Sequence, residues 1–155
     1  MDYKYINIYN NLINLTRNKK LYKDFKDQDT FSDRLLFFLF HFAFFLKVFK
    51  TKKNKKLLQN IYDYIFRVLE LSIREKGYGD ATINKKMKIY LNLFHTLINK
   101  IDKWEDIDKA SKNKILSTFF MINMDKFYLV DYFDKYLNNL SKNTLNLYIK
   151  GVVKH

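Results

Sequence analysis

LSIREKGYGDATINKK, residues 71–86, decides the fold. The chain holds three glycines, Gly77, Gly79 and Gly151, and two of them stand here within three residues. A helix running into Lys76 has to stop. Gly77 suits the left-handed position just past a helix end, where a Cβ is penalised. Gly79 lets the backbone turn again, and Asp80 or Thr82 is placed to cap a following helix. The stretch therefore reads as a tight corner between two helices.

Outward from this corner the periodicity stays helical. No strand-like alternation lasts, and turn clusters are too few for a sheet protein. A first helix is expected over Tyr3 to Leu15, with Tyr5, Ile8, Tyr9, Leu12 and Ile13 on one side. A short piece follows near Leu21 to Phe25. Thr30 or Ser32 caps a long helix reaching about Lys50, apolar nearly all round and so central. Residues 47–56 form a basic connection without an acid. The helix from about Lys56 to Lys76 turns Leu58, Ile61, Tyr62, Ile65, Leu69 and Ile73 inward. Its polar stripe runs Lys56, Asn60, Asp63, Arg67, Glu70, Arg74, offering Asp63–Arg67 and Glu70–Arg74 pairs at i, i+4. Beyond the corner, Thr82 to Ile101 presents Ile83, Met87, Tyr90, Phe94, Leu97 and Ile101 at helical spacing. Residues 102–111 read as a polar linker around Trp104. Further helices are expected near 112–122, 125–138 and 142–150, with Ser141 as a cap and Gly151 as a stop. The fold class is all-α: a single-domain irregular helical bundle of roughly six to eight helices spanning residues 1–155.

Composition narrows the function. Hydrophobic residues make up 48% of the 155, ample for a core, and there is neither proline nor cysteine. Without cysteine there is no disulfide framework and no thiol chemistry. Lys and Arg number 29 against 16 Asp and Glu, a net charge of +13 that favours anionic partners. Abundant Lys, Asn, Ile, Phe and Tyr share A/T-rich codons, which discounts part of the charge and aromatic signal. Met1-Asp2-Tyr3-Lys4 lacks the pattern of a signal peptide. The longest apolar run, Leu35 to Leu46, is broken by His41 and falls short of the ~20 residues of a membrane span. No phosphate loop, nucleophile elbow, HExxH or paired-acid motif is present. His41, His95 and His155 stand far apart in sequence, without metal-ligand spacing. The expectation is therefore a binding protein, not an enzyme, without cofactor, metal or small-molecule substrate.

The same residues carry a resemblance. Arg74-Glu75-Lys76-Gly77-Tyr78-Gly79-Asp80, followed by Lys85, Lys86 and Lys88, resembles the "LRE-x-G-hydrophobic-G-D … K-x-x-K" core of the ubiquinol–cytochrome c chaperone family. Asp29-Thr30-Phe31-Ser32-Asp33-Arg34-Leu35, then His41 in an apolar helix, is similar to that family's "DTF-x-x-RF … LH" segment. The similarity runs from about Leu21 to Leu140. Phe94-His95-Thr96-Leu97 stands where the family often has an aromatic-Tyr-Gly-Arg run. The resemblance implies assembly of the cytochrome bc1 complex (respiratory complex III) by binding newly made cytochrome b or another bc1 subunit. It also implies an alphaproteobacterial or mitochondrial source. The matching location is the cytoplasmic face of a bacterial inner membrane, or the mitochondrion of a eukaryote. An anionic membrane surface or a ribosome is a further expected contact. The alternative is a basic helical nucleic-acid- or ribosome-binding module driven by the same lysines.

The expected partner-binding residues are Arg34, His41, Arg74, Glu75, Tyr78, Asp80, Lys85, Lys86 and Lys88, with Gly77 and Gly79 shaping the corner. Each admits a plainer reading. His41, seven residues after Arg34, is either a polar binding spot or a core histidine satisfied by a neighbour. Arg74 and Glu75 either meet a partner or hold two helices at a fixed angle. Lys85, Lys86 and Lys88 follow a helix start, where cations oppose the helix dipole. They are neutralised by Asp80 and Glu75, or they meet an anionic partner. In the second reading they join Arg34 or the 47–56 connection in one positive face.

Overall fold

The computed structural model describes residues 3–25, 31–122 and 127–153. Asp29, Thr30 and His155 lie outside the described residues. Seven α-helices appear among those described: α1 (Ile6–Thr16), α2 (Phe31–Phe49), α3 (Lys55–Arg74), α4 (Asp80–Ile101), α5 (Lys109–Phe120), α6 (Tyr128–Ser141) and α7 (Leu145–Lys150). Short 3-10 turns at Lys19–Tyr22 and Trp104–Asp106 join α1 to α2 and α4 to α5.

The central helix is the one whose sequence has no polar face. Every residue of α2 from Leu35 to Phe45 is buried, and α1, α4, α5 and α6 pack around it. Its phenylalanines reach rings on four of the surrounding helices. Phe40 stacks on Phe120 of α5 with centroids 5.4 Å apart, and Phe42 on Phe94 of α4 at 5.3 Å. Phe44 meets Phe133 of α6 at 5.2 Å, and Phe45 meets Tyr148 of α7 edge-on at 5.2 Å. Such ring pairs add to the burial of apolar area. Phe94, within the segment that departs from the family's usual run, is thus a core residue.

The amphipathic helices bury the faces their periodicity marks. Leu58, Ile61, Ile65, Leu69 and Ile73 of α3 are buried, while Asn60, Asp63 and Arg67 are exposed. Ile83, Met87, Phe94, Leu97 and Ile101 of α4 are buried, with Tyr90 half-buried. Tyr62 of α3 lies against His95 and Arg74 against Asp80, so α3 and α4 run antiparallel. Phe42 stacks on Phe94 and Lys47 reaches the carbonyl of Asp102, so α2 and α4 run in the same direction.

Three local expectations are corrected. The cap of α4 is Gly79, in extended backbone at φ −75°, ψ 162°; neither Asp80 nor Thr82 caps it. Asp80 is instead the first helical residue, and its carboxylate is taken by Arg74. Ser141 ends α6, its hydroxyl donating to the Leu137 carbonyl, and Thr144 caps α7 by accepting from the Leu147 N–H. The piece expected near Leu21 to Phe25 is the 3-10 turn Lys19–Tyr22, started by the Asn18 side chain accepting from the Lys20 N–H. Residues 102–111 are mostly exposed, as a polar linker should be, but their centre is anchored in the core. Trp104 is fully buried, meets Phe44 at 5.1 Å and donates from Nε1 to Asp134 at 2.8 Å.

Gly77 has φ +92°, the left-handed conformation its place past α3 demands, and its N–H bonds back to the Arg74 carbonyl. Nothing lies within 4 Å of a Cβ built there. Replacing Gly77 with valine is therefore expected to cost ~1–2 kcal/mol through backbone strain alone. Urea denaturation checks this, with Gly79→Val as the comparison. At φ −75° Gly79 tolerates a side chain, so a larger loss there than at Gly77 contradicts the reading.

Candidate functional site

The corner between α3 and α4 gathers most of the residues singled out in the sequence. Arg74 to Asp80 are all exposed. Arg74 ends α3 and Asp80 begins α4, and their side chains form an ion pair across the turn. The hydrogen bond it donates to Asp80 raises the Arg74 pKa above its ordinary value, with Glu70 adding a smaller attraction. The pair sits in water, so it orients the two helices more than it stabilises them. The expected i, i+4 partners yield to others: Arg74 is taken by Asp80, and Asp63 accepts from Gln59.

Tyr78, at the tip of the corner, is 45% exposed, and the Lys86 ammonium lies over its ring at 4.9 Å. Lys85 and Lys88 are exposed on the same stretch of α4. Ile89, one turn beyond Lys85 and Lys86, is 53% exposed although apolar. It was not among the expected site residues. Its sequence signal was that it falls outside the buried series Ile83, Met87, Phe94. Together Tyr78, Lys85, Lys86, Lys88 and Ile89 make a surface that is cationic and apolar at once. Charged acceptors and apolar side chains of a partner both find contacts on such a surface.

Two expected members stand on α2. Arg34 is exposed on the N-terminal turns of α2. His41 is fully buried, out of reach of any partner in this conformation. Its Nδ1–H donates to the Phe37 carbonyl at 2.7 Å, and Nε2 accepts from the Tyr132 hydroxyl at 2.6 Å. The rings of Phe133 and Tyr136 close the pocket at 5.3 and 4.9 Å. Desolvation lowers its pKa from 6.5 to about 4, so the ring is neutral. The plainer reading of His41 holds. Tyr132, 91 residues away, had no signal in the sequence.

The 47–56 connection does not join the three lysines. It packs near Ile98, Ile101 and Asp102, at the other end of α4. Ten residues of helix between Lys88 and Ile98 place about 15 Å between them. The chain therefore carries two separate basic regions.

These features define a class: an all-α bundle built on a buried central helix, with an exposed charged corner. No helix among the described residues is long and apolar enough to cross a membrane. The chain belongs to the ubiquinol-cytochrome C chaperone family, whose sequence pattern matches residues 23–125. The match covers α2, α3, the corner, α4 and α5. A solved structure, the crystal structure of the Cbp3 homolog from Brucella abortus, shares the fold with a TM-score of 0.71. The superposition covers 97% of this chain and 87% of that one, at 20% sequence identity. Comparison with curated proteins gives no match.

Proposed function

We propose that this chain, acting as one domain over residues 1–155, assists assembly of the cytochrome bc1 complex by holding newly made cytochrome b without catalysis. The observation that carries this reading is the family match across the segment that contains the corner. The mixed apolar and cationic surface at Tyr78, Lys85, Lys86, Lys88 and Ile89 is the proposed contact, with Arg74, Glu75 and Asp80 beside it. Its lysines suit both client loops and an anionic membrane surface at which the chain acts peripherally. Deleting the gene is expected to lower the amount of assembled bc1 complex while cytochrome b transcript is unchanged. Cytochrome b is expected to co-purify with the tagged chain from native membranes. Normal complex levels in the deletion strain would sink the proposal.

The exposed lysines also keep a second reading, a nucleic-acid- or ribosome-binding module. Its complex should weaken steeply between low and moderate salt, whereas a client complex with an apolar component should persist. Changing Lys85, Lys86 and Lys88 together to Glu is expected to leave the thermal midpoint nearly unchanged, since none makes an ion pair with a described residue. The same variant should reduce bc1 assembly. A folded triple variant that supports normal assembly contradicts the proposed contact.

A further inference from the structure

At the end of α4 far from the corner, a groove of about 910 Å³ opens between the C-terminal half of α2, the first turns of α3 and the last turns of α4. Its volume is that of a ligand site, typically roughly 300–1,000 Å³. Ala43, Leu46, Leu58, Ile98 and Ile101 supply an apolar floor. On the far side Tyr62 and His95 hydrogen-bond each other at 3.0 Å.

Charge on the groove is one-sided. Lys50, Lys52 and Lys55 line the edge contributed by the α2–α3 connection. All three are exposed, and none makes an ion pair with a described residue. Lys47, also on the groove, is already engaged by the Asp102 carbonyl and by Glu105 at 3.1 Å. Asp102 is the one acid on the groove among the described residues, and it lies beside Lys47. Local stability does not account for this arrangement. Lys55 is the first residue of α3, where a cation opposes the helix dipole.

We propose that this groove binds an anionic acyl lipid drawn from a membrane. The headgroup phosphate sits on Lys50, Lys52 and Lys55, and the chain lies over Leu46, Leu58 and Ile98. One charged end and one apolar body match a site with one cationic edge and one apolar floor. A partner helix with acids along its length would set carboxylates on the apolar floor and beside Asp102, and fits less well. The site is separate from the corner surface, so this inference stands or falls independently of bc1 assembly.

The test uses the purified full chain and oleoyl lysophosphatidylglycerol below its critical micelle concentration, followed by calorimetry. Saturable one-to-one binding is expected. Oleoyl lysophosphatidylcholine, with the same chain but no net charge, should bind about tenfold more weakly, and inorganic phosphate alone should not saturate. Lys50→Glu, Lys52→Glu and Lys55→Glu combined should lower affinity about a hundredfold with the circular dichroism unchanged. Should that variant lose its fold, the single changes to Ala serve, each expected to weaken binding about fivefold. Ile98→Gln should weaken lipid binding as well. Equal binding of the choline lipid, saturation by phosphate alone, or unchanged affinity of a folded lysine variant overturns the proposal. So does an acidic amphipathic peptide that fills the groove and displaces the lipid.

Discussion

Truncating Trp104 to alanine is expected to remove ~3–5 kcal/mol of stability, the usual loss when a large buried aromatic becomes a cavity. Small domains have only ~5–15 kcal/mol in hand, so this single change brings the chain near unfolding. The indole is fully buried against Phe44, and the Lys112 ammonium lies over it at 5.5 Å. Its Nε1–H donates to Asp134, which also accepts from Lys112 at 3.1 Å. Trp104 thereby ties the α4–α5 connection to both α2 and α6. Trp104→Phe separates the contributions. It keeps most of the apolar contact and removes one hydrogen bond to a carboxylate still paired with Lys112, so a loss nearer ~1–3 kcal/mol is expected. Urea denaturation of the two variants beside the parent checks this. A loss below about 1 kcal/mol for the alanine variant would mean that Trp104 is solvated.

Acidification should destabilise the protein through His41. Its pKa is 6.5 in an ordinary setting and about 4 when folded, because burial disfavours the cation. Between those values the unfolded chain binds a proton that the folded chain refuses. The stability contributed by a neutral His41 is thus fully present above pH 6.5 and is lost as pH falls toward 4. At 1.36 kcal/mol per unit, the loss across that window is ~3 kcal/mol. Carboxylates titrate in part of the same range, so the decisive quantity is a difference. His41→Gln cannot take up a proton there, and urea midpoints of the two proteins across pH should converge as pH falls from 6.5 to 4. Curves that stay parallel would show that the ring is already charged or is hydrated in the folded state.

The corner and the groove illustrate how far a reading of residues reaches. Apolar residues on every side of Leu35 to Leu46 marked a helix with no solvent face, and Leu35 to Phe45 form the buried axis of the bundle. The glycine after Lys76 marked a left-handed stop, and Gly77 has φ +92°. Both conclusions rest on interactions within a few residues: the 3.6-residue repeat and the clash of a Cβ with its own backbone. The groove was not legible. The six lysines of residues 47–56 were read as a basic connection, but nothing nearby in sequence says that the last turns of α4 lie beneath them.

Side-chain partners were decided by tertiary structure alone. Arg74 has Glu70 one turn away on its own helix, yet it pairs with Asp80, because the chain reverses at Gly77 and brings the start of α4 alongside. His41 is neutral because distant helices bury it, and Tyr132, 91 residues on, donates its hydroxyl to the ring. Trp104, among polar neighbours in the sequence, is buried because Asp134, 30 residues on, accepts its N–H beside Phe44. The sequence alone determined that this chain is helical, where its central helix lies and where α3 stops, since local backbone sterics and periodicity suffice for that. Which polar groups meet depends on how whole helices pack, and desolvation makes that choice only once distant elements have closed over the groups.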